Sequence, residues 1–385
     1  MEVRMKRLFK GDQLRIFMIP ILMFLFSMDV ASAQAPWAAL DAPPTGVAPA
    51  GEVLRPGHLG REIGNVELII HFYHDLVGLG LLGPRGGPRP FGSKYTNPAL
   101  LEFVDVGVGV PNPMDARNRA VILQIPGTSI SGGSAMAIEA IEIKNIESRP
   151  YKPSMSDPGA SHIKLFVRDL DKTLALLKDE LVPVITIGGE PVTLVDYPGI
   201  EGKIRAVFVR DPDGYPVELM EITPAPASTA PPESNILGAR IAVVVDDLET
   251  TCRWFQNLVG SGLQFWLSPG LMGDKTFVDL TGTPGQFRMA MALIPGSPVV
   301  MEFIEYRDHL KNFARPHIQD PGTAHILFMS RDVDIVMPRL RAAGLHTLSA
   351  TDGPVFIGPT TRSFFVPDPD GFWVEFMDNG VKKKP

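Results

Sequence analysis

DPGASHIKLFVRDLD at residues 157–171 returns as DPGTAHILFMSRDVD at 320–334, with eight of fifteen positions identical at an offset of 163. A second block follows in the same order. VRDPDGYPVELME at 209–221 returns as VPDPDGFWVEFMD at 366–378, with eight identities in thirteen. Two such blocks in one order mean a duplicated unit. Fainter echoes precede them. FYHDLVG at 72–78 pairs with WFQNLVG at 254–260, and AIEAIE at 137–142 pairs with VMEFIE at 300–305. The chain therefore reads as four similar units in two halves.

The second unit shows the local grammar. From His162 to Val167 the residues alternate, with Ile163, Leu165 and Val167 on one face and His162, Lys164 and Phe166 on the other. That is a half-buried strand. Asp169 stands as an N-cap before a helix over 170–181, whose apolar positions recur at helical spacing. Strand-like runs follow at 182–187, 204–209 and 215–221. Asp211–Pro212–Asp213–Gly214 is a tight turn, with Pro second and Gly fourth. The unit is β-α-β-β-β. Units three and four fit it, with helices over 248–258 and 333–343. Unit one is less regular: its first strand, near 55–63, holds glycines and a proline, and residues 83–92 read as loop.

The organisation expected from this is a first domain over 34–222 and a second over 235–380, each of two units. Residues 223–234 (TPAPASTAPPES) form a Pro- and Ala-rich spacer between them. Ahead of both lies an address. Arg4, Lys6, Arg7, Lys10 and Arg15 precede an apolar run, Ile16 to Phe26, and then Ala31–Ser32–Ala33. This is the pattern of a secretory signal over residues 1–33, cleaved after Ala33. Eleven apolar residues cover only about half of a ~30 Å hydrocarbon core, which argues against a membrane anchor. The expected location is periplasmic or secreted. The 385 residues carry a net charge of −7, which excludes a chain-wide basic surface for nucleic acid. The single cysteine, Cys252, excludes an intramolecular disulfide framework and a Cys-rich zinc site.

Tandem βαβββ units with a His on the first strand, an FY-x-x-LVG-like helix end and a DPDG turn leading to Val-Glu on the last strand resemble the vicinal oxygen chelate superfamily. That group includes glyoxalase I, extradiol dioxygenases and the bleomycin and fosfomycin resistance proteins. The resemblance spans about residues 54–379. It implies an α+β fold in which units pair into two eight-stranded, cup-shaped sheets around a metal site.

The resemblance also implies the ligand positions. One lies on each first strand, eight residues before the apolar residue that opens the helix: His58, His162 and His325, with Arg240 in the third unit. The other is the Glu on each last strand: Glu139, Glu218, Glu302 and Glu375. Alternation independently puts His162 and Glu218 on the face away from the helix. Imidazole and carboxylate oxygen suit a divalent ion (Zn, Ni, Mn or Fe). With units paired within each half, the expected centre is His58, Glu139, His162 and Glu218, and Glu139 or Glu218 is the catalytic base. The second half offers Glu302, His325 and Glu375. Its Arg240 stays protonated and is no ligand, so it would neutralise Glu302 instead. The acids three residues further on (Glu142, Glu221, Glu305, Asp378) are expected to end their strands in solvent.

The chemistry implied is that of a lyase or isomerase like glyoxalase I. A cation would hold two neighbouring substrate oxygens while a Glu moves a proton on the adjacent carbon. The alternative is a non-catalytic cup that sequesters a small molecule, as in the resistance proteins. Extradiol ring cleavage ranks third. The expected partners are a small molecule and a second copy of the chain, with no nucleic acid and, once the signal is cleaved, no membrane.

Overall fold

Strand alternation sorts the side chains of every unit into two faces. In a computed structural model, residues 38–39, 53–82, 117–129 and 136–378 are described, apart from positions 196, 198, 260–262, 269, 295–296, 314, 350–352 and 357–359. The expected signal segment, 1–33, and the loop expected at 83–92 lie outside the described residues.

A two-residue strand, β1 (Ala38–Ala39), precedes the units. Unit one holds β2 (Val53–Ile63), α1 (Val66–Ile70, continuing in π turns over His71–Val77), β3 (Gly80–Leu82), β4 (Arg117–Gln124) and β5 (Ala137–Lys144). Unit two holds β6 (Ser161–Val167), α2 (Leu170–Asp179), β7 (Val192–Leu194), β8 (Lys203–Arg210) and β9 (Pro216–Thr223). Unit three holds β10 (Ile236–Val244), α3 (Leu248–Val259), β11 (Phe265–Leu267), an inserted α4 (Lys275–Thr281), β12 (Gln286–Leu293) and β13 (Val300–Arg307). Unit four holds β14 (Ala324–Ser330), α5 (Val333–Ala342), β15 (Val355–Phe356), β16 (Arg362–Pro367) and β17 (Trp373–Asp378). The strand expected over 182–187 is not one. Pro183 lacks a donor there, a single bridge joins Val184 to Val209, and β7 takes the sheet edge instead.

The units pair differently from the order of the halves. One sheet runs β1-β11-β12-β13-β10-β6-β9-β8-β7, so it joins units two and three. The other runs β15-β16-β17-β14-β2-β5-β4-β3, so it joins units one and four. The seam strands are antiparallel pairs of first strands, β10 with β6 and β14 with β2. Residues 223–234 therefore link two units of one sheet rather than two domains, which corrects the boundaries at 34–222 and 235–380. The chain crosses between sheets after β5 and after β13. Each crossing ends in a DPG turn whose glycine, in the left-handed region, gives its N–H to the first strand that its own unit's first strand pairs with: Gly159 to the Val244 carbonyl of β10 and Gly322 to the Glu62 carbonyl of β2. The DPDG turns dock one sheet against the other. Asp211 pairs at 2.9 Å with buried Arg61 of unit one, whose guanidinium lies 3.5 Å over the Tyr215 ring. Asp370 accepts from the Thr251 hydroxyl of unit three at 3.1 Å.

The helix-facing side of both sheets makes the main core, with Leu59, Ile138, Leu165, Leu219, Ile241, Phe303, Ile326 and Phe376 among its buried residues. The four acids expected in solvent are placed against the helices instead. Glu142, Glu221, Glu305 and Asp378 accept from the backbone N–H of Val66, Leu170, Leu248 and Val333, the first residue of each helix. Arg119, Arg205, Arg288 and Arg362 bridge those acids to Glu67, Asp171, Glu249 and Asp334 in the helices' first turns. An orphan N–H and the positive end of the helix dipole both favour a carboxylate there. This repeated clamp pins the main helix of each unit to its sheet and leaves the opposite face free for chemistry.

Candidate metal centre

On the face away from the helices, the sheet of units one and four gathers His58, Glu139, His325 and Glu375. Their neighbours in sequence (Leu59, Ile138, Ile326, Val374) point into the core, so alternation turns these four the other way. Ligand atoms of His58, His325 and Glu375 lie within 4.8 Å of one another. The Nε2 atoms of His58 and His325 are 3.7 and 3.4 Å from Glu375 Oε2. Glu139 Oε2 is 2.9 Å from His58 Nε2. The His325 ring stands over Gly60, its neighbour across the seam, where a Cβ would come within 1.9 Å of the ring. Phe365 meets the ring edge-on at 5.2 Å. Ser363 donates a short hydrogen bond to Glu375 Oε1 and fixes that carboxylate.

Electrostatics tie the group together. Burial alone would lower the His58 pKa, but Glu139 and Glu375 outweigh it and push the imidazole up to about 9. Burial likewise opposes protonation of His325, and Glu375 and Glu62 carry it to about 10. Glu375 resists its own burial through His325 and His58 and is held near 2. The set is thus two imidazoles and two carboxylates drawn to one point. It fits a divalent cation on the structure's own terms: His58 Nε2 and both ring nitrogens of His325 are buried and make no aligned hydrogen bond.

The sheet of units two and three presents the matching positions, His162, Glu218, Arg240 and Glu302, and closes them with cations. Lys164 Nζ lies 2.9 Å from Glu218 and 2.8 Å from Glu302. Arg240 pairs with Glu302 at 2.7 Å and donates to the Gly199 carbonyl at 2.9 Å. Lys164 also donates to Tyr197, whose hydroxyl donates to Glu302 at 3.2 Å. Burial would raise the Glu302 pKa, but Lys164 and Arg240 outweigh it and hold the group near 2. Burial and the Lys164 charge lower the His162 pKa. Above the cluster, Tyr197, Ile204, Phe208 and Met220 pack with Phe277 and Leu280 of α4. An ammonium sits between the two carboxylates and side chains fill the cup.

The expected centre of His58, Glu139, His162 and Glu218 is therefore split between two sheets. His58 and Glu139 meet His325 and Glu375, whereas His162 and Glu218 meet Arg240 and Glu302. The reason is topological: first strands pair across the seam as one with four and two with three. Two decisive residues were not singled out by sequence reasoning. Lys164 had a visible signal, because the equivalent position in the repeated block is Leu327. Glu62 had only strand alternation with His58.

Comparison with known proteins agrees with this architecture. Residues 238–376 match the model of the Glyoxalase/Bleomycin resistance protein/Dioxygenase superfamily. The matched span runs from β10 in one sheet to β17 in the other. A search of curated proteins returns no match. Among solved structures, glyoxalase I from Zea mays superposes with a TM-score of 0.50 at 17% identity, covering 84% of this chain and 92% of that one. A variant of the same maize enzyme gives 0.51 at 17% identity, covering 84% and 94%. At that identity the likeness is one of fold.

Proposed function

We propose that the cup of units one and four is the working site of a metal-dependent lyase or isomerase acting on a small substrate with vicinal oxygens. The observation that carries this reading is the convergence of His58, His325 and Glu375, with Glu139 beside them. His58, Glu139, His325 and Glu375 would hold the cation, which supplies Lewis acidity to two neighbouring substrate oxygens. Glu139 is the base. Its side chain is 27% exposed against 8% for Glu375, and no serine pins it as Ser363 pins Glu375. A carboxylate held on one side only by His58 is able to turn toward a substrate carbon, take its proton and return it to the adjacent carbon. Glu218, the other candidate base, is bound to Lys164 and is not assigned that role.

A second reading rests on the same three side chains, since two His and one carboxylate also form the set used by non-haem iron oxygenases. A carboxylate at the fourth position, Glu139, favours proton transfer over that chemistry. We also infer that residues 1–33 direct export, with cleavage after Ala33; N-terminal sequencing of the periplasmic protein tests this. No helix among the described residues is long and apolar enough to cross a membrane.

The test is exchange of the α-proton of small α-hydroxycarbonyls for deuterium, followed by NMR with protein loaded in turn with Zn, Ni, Mn and Fe. Exchange is expected to fall by about 10²–10⁴-fold in Glu139→Gln when it is compared with the wild type at equal metal loading. Absence of exchange with every metal, together with tight binding of the same compounds, would support a sequestering cup. Oxygen uptake with a catechol and iron alone would support the oxygenase.

A further inference from the structure

Behind His325 lies a second carboxylate that the ligand set does not use. Glu62 is on β2, two alternations beyond His58, so it shares the face of the metal cup. Residue and side chain are 1% exposed. Its Oε1 lies 3.7 Å from His325 Nδ1, while His325 Nε2 faces Glu375 on the other side of the ring. Neither carboxylate oxygen of Glu62, nor Nδ1 of His325, has a hydrogen-bond partner. Two buried polar groups facing each other, with no other partner for either, carry a large desolvation cost unless they serve one another.

The other cup supplies the control. Gly159 donates to the Val244 carbonyl at 2.9 Å, and Gly322 donates to the Glu62 carbonyl at 2.8 Å. These matching bonds make Val244 the structural counterpart of Glu62. Val244 packs among Phe287, Ile304 and Tyr306 in the filled cup. The carboxylate thus stands in the cup with two imidazoles and is replaced by an aliphatic side chain in the cup closed by Lys164.

We infer that Glu62 is the positioning residue of the metal centre: it accepts the Nδ1–H of His325, fixes the tautomer that presents Nε2, and raises the basicity of that ligand. Outer carboxylates act on ligating histidines in this way, and their loss costs about 10–100-fold in metal affinity. The inference rests on the metal reading of this cup.

The experiment measures the Kd of Zn²⁺ by competition with a chromophoric chelator, and the Tm of the apo protein, for the wild type, Glu62→Val and Glu62→Gln. Glu62→Val is expected to bind Zn²⁺ about 10–100-fold more weakly, while its apo Tm falls because protonated His325 loses one of its two carboxylates. Glu62→Gln keeps an acceptor oxygen and is expected to recover part of the affinity. A Kd within twofold of wild type in Glu62→Val overturns the inference, as does a Gln variant whose Kd is no better than that of Val. A wild type that binds no metal overturns the metal reading and this inference together, whereas tight wild-type binding unaffected by Glu62→Val overturns this inference alone.

Discussion

The two cups share a strand plan and differ at a handful of side chains. Each presents a His on a seam strand beside an edge-on phenylalanine: His325 with Phe365 at 5.2 Å, and His162 with Phe208 at 5.0 Å. Each presents two glutamates on the parallel neighbours of the seam strands. Then they part. Where one has His58 the other has Arg240, and where one has Leu327 beside Glu375 the other has Lys164 beside Glu218. Ser363 holds Glu375, while Ala206 stands at the matching register in the other sheet. Lys164 and Arg240 thus make the second cup a buried ion-pair cluster. The lesson is that carboxylates drawn to one point must be neutralised by something, and a lysine does so as well as a metal ion.

The largest effect is expected when one cup is written into the other. Leu327→Lys places an ammonium beside Glu375, as Lys164 stands beside Glu218. Metal binding is expected to vanish while the fold persists, read by equilibrium dialysis and circular dichroism. Retained stoichiometric metal would contradict the equivalence.

The reverse change acts on stability. Lys164→Met leaves Glu218 and Glu302 buried with Arg240 as the remaining close cation. Breaking a buried pair on one side costs about 3–5 kcal/mol, so the urea midpoint should fall accordingly. A shift near zero would mean the cluster contributes nothing to the fold.

The same cluster sets an acid limit. Glu302 has its pKa lowered from 4.5 to about 2 in the folded chain. A depressed carboxylate contributes stability that is fully present above its unfolded pKa and is lost as pH falls through its folded one. The loss therefore runs from about pH 4.5 to about 2 and amounts to about 3 kcal/mol. Glu302→Gln should flatten that part of the stability curve; an unchanged slope would assign it to other acids.

The smallest effect is expected in the metal cup. Ser363→Ala frees one side of Glu375 and should weaken metal binding by about tenfold, at the low end for an outer partner. No change would mean that Glu375 is oriented by the imidazoles alone.

Much of this architecture was legible in the sequence. The 157–171 and 320–334 blocks fixed the repeating unit, and the DPDG turns placed the last strands. The helix starts at Leu170, Leu248 and Val333 follow from capping and apolar spacing, and alternation places His162 and Glu218 on the face away from the helix. The partnering of units was not legible. Alternation sorts side chains by face, and either pairing puts His58 and His162 on the same kind of face. Only contacts between distant segments, such as β14 with β2 or Arg61 with Asp211, decide it. Charge compensation was half legible: Arg240 was visible as a non-ligand. Lys164 was read as one polar position of a strand because its partners, Glu218 and Glu302, come from different halves of the chain. The fate of Glu142, Glu221, Glu305 and Asp378 was hidden for a similar reason, since each meets its helix and its arginine only once the sheet forms.

The central claim is that the metal belongs to the cup of units one and four and not to the other. Metal content by inductively coupled plasma mass spectrometry of the wild type, His325→Ala and His162→Ala tests it most directly. Near-stoichiometric metal is expected in the wild type and in His162→Ala, with loss in His325→Ala. Loss in His162→Ala with retention in His325→Ala would contradict it.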